Sequence, residues 1–235
     1  MDPARIAELL APFLAAPLSN ARHSEERSNE EPAVLSPAQL HCISTYIDIL
    51  LRWNARINLT AIRGPEEIVT RHFGESLFAA RHLFPHSASA SSVSSVVKGS
   101  SLADVGSGAG FPGLPIKLWA REISLTLIES SHKKAAFLRE VTRALTLTDI
   151  NIRAARAETL AGAVFDVVTL RAVERFSAIL PVAANLVAPR GRLALLIGSA
   201  QLSQARSSLA HFLWEEATPI PASHSRVLAV AHPPQ

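Results

Sequence analysis

The sequence predicts an α/β protein in which a doubly wound, mostly parallel sheet follows an all-helical N-terminal extension. Three observations predict it. After residue 101, short apolar runs alternate with helical stretches, the pattern of strands joined by crossover helices. Before residue 86, outside a charge-dense stretch at 19–32, the apolar runs recur at helical spacing. Between these parts, glycines at 106, 108, 110 and 113 stand where the first strand hands over to a helix. With 235 residues, 48% hydrophobic and 18% charged, the chain has the material for a sizeable core.

Ile6, Leu9, Leu10, Phe13 and Leu14 recur at helical spacing, so the first fifteen residues should form a short helix with one apolar face. Residues 19–32 are charge-dense and have little to bury, which predicts a mobile linker. Ser36 offers an N-cap oxygen before Pro37, and Leu40, Ile43, Ile47, Leu50 and Leu51 form the stripe of a helix running to about Trp53. Gly64-Pro65-Glu66 opens another helix, with Ile68, Val69, Phe73, Leu77 and Ala80 on one side, ending near Pro85. Residues 1–85 thus read as a helical extension, residues 86–101 as a serine-rich linker and residues 102–235 as the α/β domain. In that domain, strands are expected at Leu102–Val105, Ser124–Ile128, Ile150–Arg153, Phe165–Leu170 and Leu193–Ile197. Helices are expected at Pro115–Ala120, Lys133–Leu145 and Ala178–Val187.

A single cysteine, Cys42, excludes an intramolecular disulfide and a cysteine-rich metal centre, so no metal site is expected. Asp2, Glu8, Pro12 and Pro17 interrupt the apolar N-terminus, which does not read as a signal peptide. Asn185, Pro189, Arg190 and Arg192 break the longest later apolar run, so no membrane span is expected. A net charge of +3 permits an acidic partner such as RNA without specifying one.

The stretch Asp104-Val105-Gly106-Ser107-Gly108-Ala109-Gly110-Phe111-Pro112-Gly113 carries the most chemistry. Its glycines let backbone turn tightly and approach a nucleotide-like cofactor of a Rossmann-like sheet. Glu129 ends the second strand, near the spacing at which an acidic side chain accepts hydrogen bonds from ribose hydroxyls. The spacing also satisfies the dinucleotide fingerprint, and a nicotinamide or flavin cofactor stays open. Asp104 would repel a pyrophosphate but suits the cationic amino group of S-adenosylmethionine, and Pro112 and Pro115 remove N–H donors that a phosphate would need.

Four segments carry a resemblance: Asn58-Leu59-Thr60-Ala61-Ile62-Arg63, Arg71-His72-Phe73-Gly74-Glu75-Ser76, the glycine stretch from Asp104 to Gly113, and Leu170-Arg171-Ala172. In this order they resemble the RsmG (GidB) family of small-subunit ribosomal RNA methyltransferases, over about residues 37–230. The resemblance implies a class I S-adenosylmethionine-dependent methyltransferase that methylates N7 of a guanine in 16S ribosomal RNA. It implies cofactor contacts at Gly106 and Phe111, at Glu129, Ser130 and Ser131, at Ala157 and Glu158, and at Arg171. Asp104, Gly108 and Gly110 join them from the glycine turn itself. The partner would be small-subunit ribosomal RNA or the 30S assembly, in the cytoplasm; a monomer is expected, though the sequence leaves the oligomeric state open.

Two other functions compete. A nicotinamide-dependent oxidoreductase would need a second substrate domain, and nothing after Leu170 resembles one. A non-catalytic ribosome-associated RNA-binding protein would not need Asp104, Glu129 and the glycines together. Arg171, at a strand end, reads as a rim residue within reach of substrate or as a surface arginine. His72 reads as locally packed, with a substrate contact as the alternative, and no residue is assigned as catalytic. Lys133, Lys134, Arg139 and Arg143 on one helix, and Arg52, Arg56, Arg63 and Arg71 in the extension, could contact phosphates or be solvated. Trp53 reads as core packing rather than as a platform for a base.

Overall fold

The computed structural model describes residues 1–15, 34–85, 99–160 and 162–234. The linker expected at 19–32 lies outside the described residues, as does most of that at 86–101. Helix α1 (Pro3–Ala15) buries Ile6, Leu10, Phe13 and Leu14 along one face. Helix α2 (Pro37–Asn54) starts at Ser36, whose hydroxyl accepts from Gln39 N while the Gln39 side chain returns to Ser36 N, a reciprocal cap. Helix α3 (Pro65–Glu67) passes through a π-helical segment, Ile68–Gly74, into α4 (Glu75–Leu83). The wider π turn carries Arg71 and His72, and such turns often mark functional sites.

The sheet contains β1 (Ser101–Val105), β2 (Ser124–Ile128), β3 (Ile150–Arg153), β4 (Phe165–Arg171), β5 (Val187–Gly198), β6 (Leu213–Trp214), β7 (Thr218–Pro219) and β8 (Arg226–His232). Helices α5 (Gly113–Trp119), α6 (His132–Ala144), α7 (Phe176–Ala184) and α8 (Ser199–Ser208) connect them, with a 3₁₀ turn at Ala157–Leu160. Strand order is β3-β2-β1-β4-β5-β8-β6, with β7 also on β8. The first five strands pair in parallel, and β8 runs antiparallel to β5. Chain order reverses between β1 and β4, and their carboxyl ends border the crevice where such sheets bind ligands.

Both faces of the sheet are covered, which is why its strands read as continuous apolar runs. Leu102, Leu125, Leu127, Ala194 and Leu196 share one apolar cluster with α1, α2, α4, α5 and α6. Ala103, Val105, Val168, Leu170, Leu193 and Leu195 point the other way, into a cluster with α7 and α8. The N-terminal helices therefore share an apolar core with the sheet, and a buried charged cluster around Glu75 joins them at its rim. No described helix is long and apolar enough to cross a membrane.

Candidate active site at the carboxyl ends of β1 and β4

The turn after β1 is built from backbone. Gly106 N and Ser107 N both donate to Ile128 O at the end of β2, at 2.9 and 3.1 Å, and Gly110 N donates to Ser107 O at 2.6 Å. Gly108 adopts φ +54°, and a Cβ there would meet nothing nearer than Gly106 O at 3.7 Å. Gly110 adopts φ +86°, but its missing side chain is filled by Tyr46, Leu114 and Leu138. One glycine thus faces open space and the other packs against α2. At Gly106, φ +69°, a Cβ would lie 2.9 Å from Val173 Cγ1, just past β4.

Two buried carboxylates hold this turn. Asp104 Oδ1 accepts from Thr169 Oγ1 at 2.9 Å, and Oδ2 accepts from Gly113 N at 3.2 Å. Burial pushes the Asp104 carboxyl up to about 6, against those hydrogen bonds and the attraction of Arg171. Glu129 Oε2 accepts from Gly108 N at 2.9 Å and Oε1 from Ser131 N at 2.7 Å, leaving lone pairs on both oxygens. The start of α5 offers no phosphate cradle. Pro112 and Pro115 lack N–H groups, Gly113 N is held by Asp104, and Leu114 N donates to Gly110 O.

Phe111 lies inside an aromatic stack. Tyr46 covers it at 5.3 Å with 7° between planes, His72 at 4.7 Å with 22°, and Phe73 meets its edge. Tyr46 Oη donates to Ala109 O at 2.5 Å, so α2 is bonded directly to the glycine turn. Beyond His72 lies a charged cluster around Glu75, whose side chain is 1% exposed. Arg171 Nη2 and Nε reach Glu75 Oε2 at 3.0 and 3.3 Å, and Nη2 also donates to Arg71 O at 2.7 Å. Arg71 and Arg226 each place Nε near Glu75 Oε1, at 3.2 and 3.0 Å.

A guanidinium only donates, so Arg171 Nη1, 3.1 Å from His72 Nδ1, makes that nitrogen an acceptor. The ring proton therefore sits on Nε2 and is donated to Thr60 Oγ1 at 2.8 Å. Burial, with Arg171, Arg71 and Arg226 nearby, pushes His72 down to about 3, and the ring is neutral at physiological pH.

Among the remaining residues singled out from sequence, Ser130 is exposed and Ser131 caps α6 through Lys134 N. Ala157 is buried in the cluster that holds Val105 and Ile128, whereas Glu158 is exposed on the 3₁₀ turn. Arg171 is buried at the sheet rim, so its reading as a surface arginine is overturned. Trp53 packs edge-on against Phe137 and donates to Glu140 Oε2 at 2.9 Å. Lys133, Arg139 and Arg143 are exposed on α6. Sequence reasoning assigned no role to Tyr46, Glu75 or Arg226. The available signal was an Arg71, Glu75 pair at i, i+4 on a helical stretch that also carries the apolar face of Ile68, Val69, Phe73 and Leu77.

The donor set fits S-adenosylmethionine: an open glycine backbone at 108, carboxylate lone pairs on Glu129 beside it, and the N–H groups of Gly106, Ser107, Gly108, Gly110, Gly113 and Leu114 already bonded within the protein rather than held out for a pyrophosphate. A separate cleft lined by Pro189, Arg190, Leu213 and His232 lies at the amino end of β5, away from these groups.

Comparison with known proteins agrees with this geometry. The sequence pattern of the GidB family, described as rRNA small subunit methyltransferase G, matches residues 39–226. A ribosomal RNA small subunit methyltransferase G from Halorhodospira halophila is 35% identical over 213 residues, covering 89% of this chain and 95% of that protein. One from Xanthomonas axonopodis pv. citri is 39% identical over 154 residues, 65% of this chain and 66% of that protein. In fold, the chain is similar to magnesium protoporphyrin IX methyltransferase from Synechocystis PCC 6803, solved with bound SAM. That match has a TM-score of 0.58 at 16% identity and covers 86% of this chain and all of the other. The oxidoreductase reading is thereby overturned, and the occupied N–H groups at the start of α5 give its physical reason. The chain belongs to the rRNA small subunit methyltransferase G family.

Proposed function

We propose that this protein transfers a methyl group from S-adenosylmethionine to N7 of a guanine in 16S ribosomal RNA. Support comes chiefly from the glycine turn at the β1/β4 crevice, open at Gly108 and flanked by Glu129, in a chain of this family. In this reading Gly106 and Gly108 admit the cofactor to backbone contact, and Glu129 accepts from its ribose hydroxyls. Ser130, Ser131, Ala157 and Glu158 border the adenosine, while Asp104 tensions the turn and lends negative potential to the ammonium side. Phe111 contributes through its backbone, its ring being enclosed. Arg171 acts from behind, as an anchor for His72 and Glu75. Residues 1–85 and 102–235 work as one unit joined by 86–101, on RNA or the 30S particle in the cytoplasm.

S-adenosylmethionine supplies an electrophilic methyl on a sulfonium sulfur. Guanine N7 has an in-plane lone pair and no hydrogen, so no proton has to leave and no general base is required. What the chain must provide is alignment, which is worth on the order of 7 to 11 kcal/mol where geometry is good. The neutral, doubly bonded His72 is consistent with that requirement. The test is incubation with tritiated S-adenosylmethionine and small subunits or deproteinised 16S RNA, followed by nucleoside analysis. Label in 7-methylguanosine is expected; label in another nucleoside, or none in RNA, contradicts the reading.

A further inference from the structure

The cluster around Glu75 is not electrically balanced. Arg71, Arg171 and Arg226 all lie within ion-pair distance of one carboxylate, and His72 is neutral because its Nδ1 accepts from Arg171. Three guanidiniums on one carboxylate leave positive charge over, which buried Asp104, near enough to attract Arg171, offsets only in part, and screening by water is weak where the groups are buried. The imbalance has a direction. Glu75 and Arg171 side chains are 1% and 7% exposed, Arg226 is 18% exposed and Arg71 43%, so the cluster opens at Arg71 and Arg226. Both of these reach the same oxygen, Glu75 Oε1, which holds two guanidiniums side by side against their repulsion. Arg226 Nε, although 3.0 Å from that oxygen, is buried and not aligned for a hydrogen bond to it. Arg226 Nη2 donates to Leu196 O at 3.3 Å and Arg71 Nε to Glu75 at 3.2 Å, so it is the outer edges of two adjacent guanidiniums, chiefly that of the more exposed Arg71, that match the oxygens of a phosphate.

Position adds to charge. Arg226 starts β8 opposite Gly198 at the carboxyl end of β5, on the rim that carries the glycine turn. Arg171 is followed by Ala172 and Val173, and Val173 is the side chain nearest the missing Cβ of Gly106. His72 links the cluster to Phe111 by stacking. We propose that Arg71 and Arg226 form the binding site for one backbone phosphate of the substrate RNA beside the target base, with Glu75 and Arg171 as the fixed base on which they are mounted. This rests on the RNA-methylating reading of the same crevice. The competing anion of like chemistry is the carboxylate of the cofactor's methionine.

The experiment compares the full-length protein with Arg71→Gln, Arg226→Gln and the double variant. Affinity for deproteinised 16S RNA is measured by filter binding at several salt concentrations, and affinity for S-adenosylmethionine by calorimetry. Loss of the phosphate contact should lower RNA affinity and flatten the slope of log affinity against log salt by about 0.7 to 0.9, with cofactor affinity unchanged. Arg71→Lys and Arg226→Lys should recover most of the slope, and they decide the matter if a Gln variant does not fold. An unchanged slope in folded variants overturns the proposal, and so does a fall in cofactor affinity with RNA binding intact, which assigns the anion to the methionine carboxylate. Because binding is read without turnover, a wild-type protein that binds this RNA yet methylates none of it defeats the functional reading while the slopes still judge the site.

Discussion

Two neighbouring clusters at the rim of the sheet handle charge in opposite ways. At the glycine turn, Asp104 and Glu129 give their oxygens to backbone N–H groups and a hydroxyl, so each carboxylate is anchored by neutral donors. Around Glu75, one carboxylate serves three guanidiniums. The first arrangement shapes a surface for a neutral or cationic ligand and repels phosphates. The second demands an anion. A cofactor with a sulfonium and an ammonium group, and a polyanionic substrate, could therefore be sorted to adjacent places by charge alone.

The harshest way to break the comparison is Glu75→Ala. Arg171 would be left buried beside two other cations, and removing one partner of such an ion pair costs about 3 to 5 kcal/mol. Urea denaturation should show a loss of that size; a loss under about 1 kcal/mol would mean the arginines are solvated. The matching change at the other cluster, Glu129→Ala, should keep the fold and weaken S-adenosylmethionine binding by roughly 1.5 to 3 kcal/mol.

A sharper contrast lies within the turn itself. Gly110→Ala drives a Cβ into Tyr46 and Leu114 at a positive φ, so stability and cofactor affinity should fall together, the former by about 2 to 3 kcal/mol. Gly108→Ala meets no protein atom closer than 3.7 Å and should cost only the backbone strain, about 1 kcal/mol, while cofactor affinity falls further than stability. Equal responses of the two variants in calorimetry and denaturation would remove the cofactor from Gly108.

pH offers a third handle. Unfolded His72 gains a proton below 6.5 that the folded protein accepts only near 3. Folded Asp104 gains one near 6 that the unfolded chain takes up only near 3.8. Between about pH 6 and 4 these exchanges cancel, so together they give stability no slope. In His72→Gln the Asp104 contribution stands alone, and stability relative to wild type should rise as pH falls through that window, by about 1.4 kcal/mol per unit. Asp104→Asn should do the reverse. Parallel stability curves for all three proteins would refute the paired shifts. The smallest expected effect is Tyr46→Phe, which keeps the ring stack but loses the bond to Ala109 O, for about 0.5 to 1.5 kcal/mol of stability.

Much of the fold was legible because its signals are local. The spans expected for β2 and β3 coincide with the strands found, and Ser36 caps α2 as its sequence predicts. Helix α8 and strands β6 to β8 went unassigned: α8 has a weak apolar face with only Ala205 buried, and β6 and β7 are two residues long. The glycine turn and Glu129 converge as the spacing implied, since turn and strand end are tied within one crossover unit. Other parts of the site depend on contacts far apart in sequence. Nothing local tells that Arg171 meets Glu75, or that Phe111 is walled in by α2 and the π turn. Gly106 was legible as a glycine, but not that Val173 packs on it, so that a side chain there would strike protein.

The central claim is that methyl transfer here proceeds by positioning, with no side chain exchanging a proton in the chemical step. Single-turnover transfer from S-adenosylmethionine to 16S RNA, followed from about pH 7 to 9, above the range in which Asp104 titrates, in wild type and His72→Ala, tests it most directly. The account predicts a rate that is flat with pH in both proteins and lowered by no more than about tenfold, or 1.4 kcal/mol, in the variant. A His72→Ala protein that folds and binds both partners yet transfers no methyl, or a wild-type rate that titrates across this range, would contradict it.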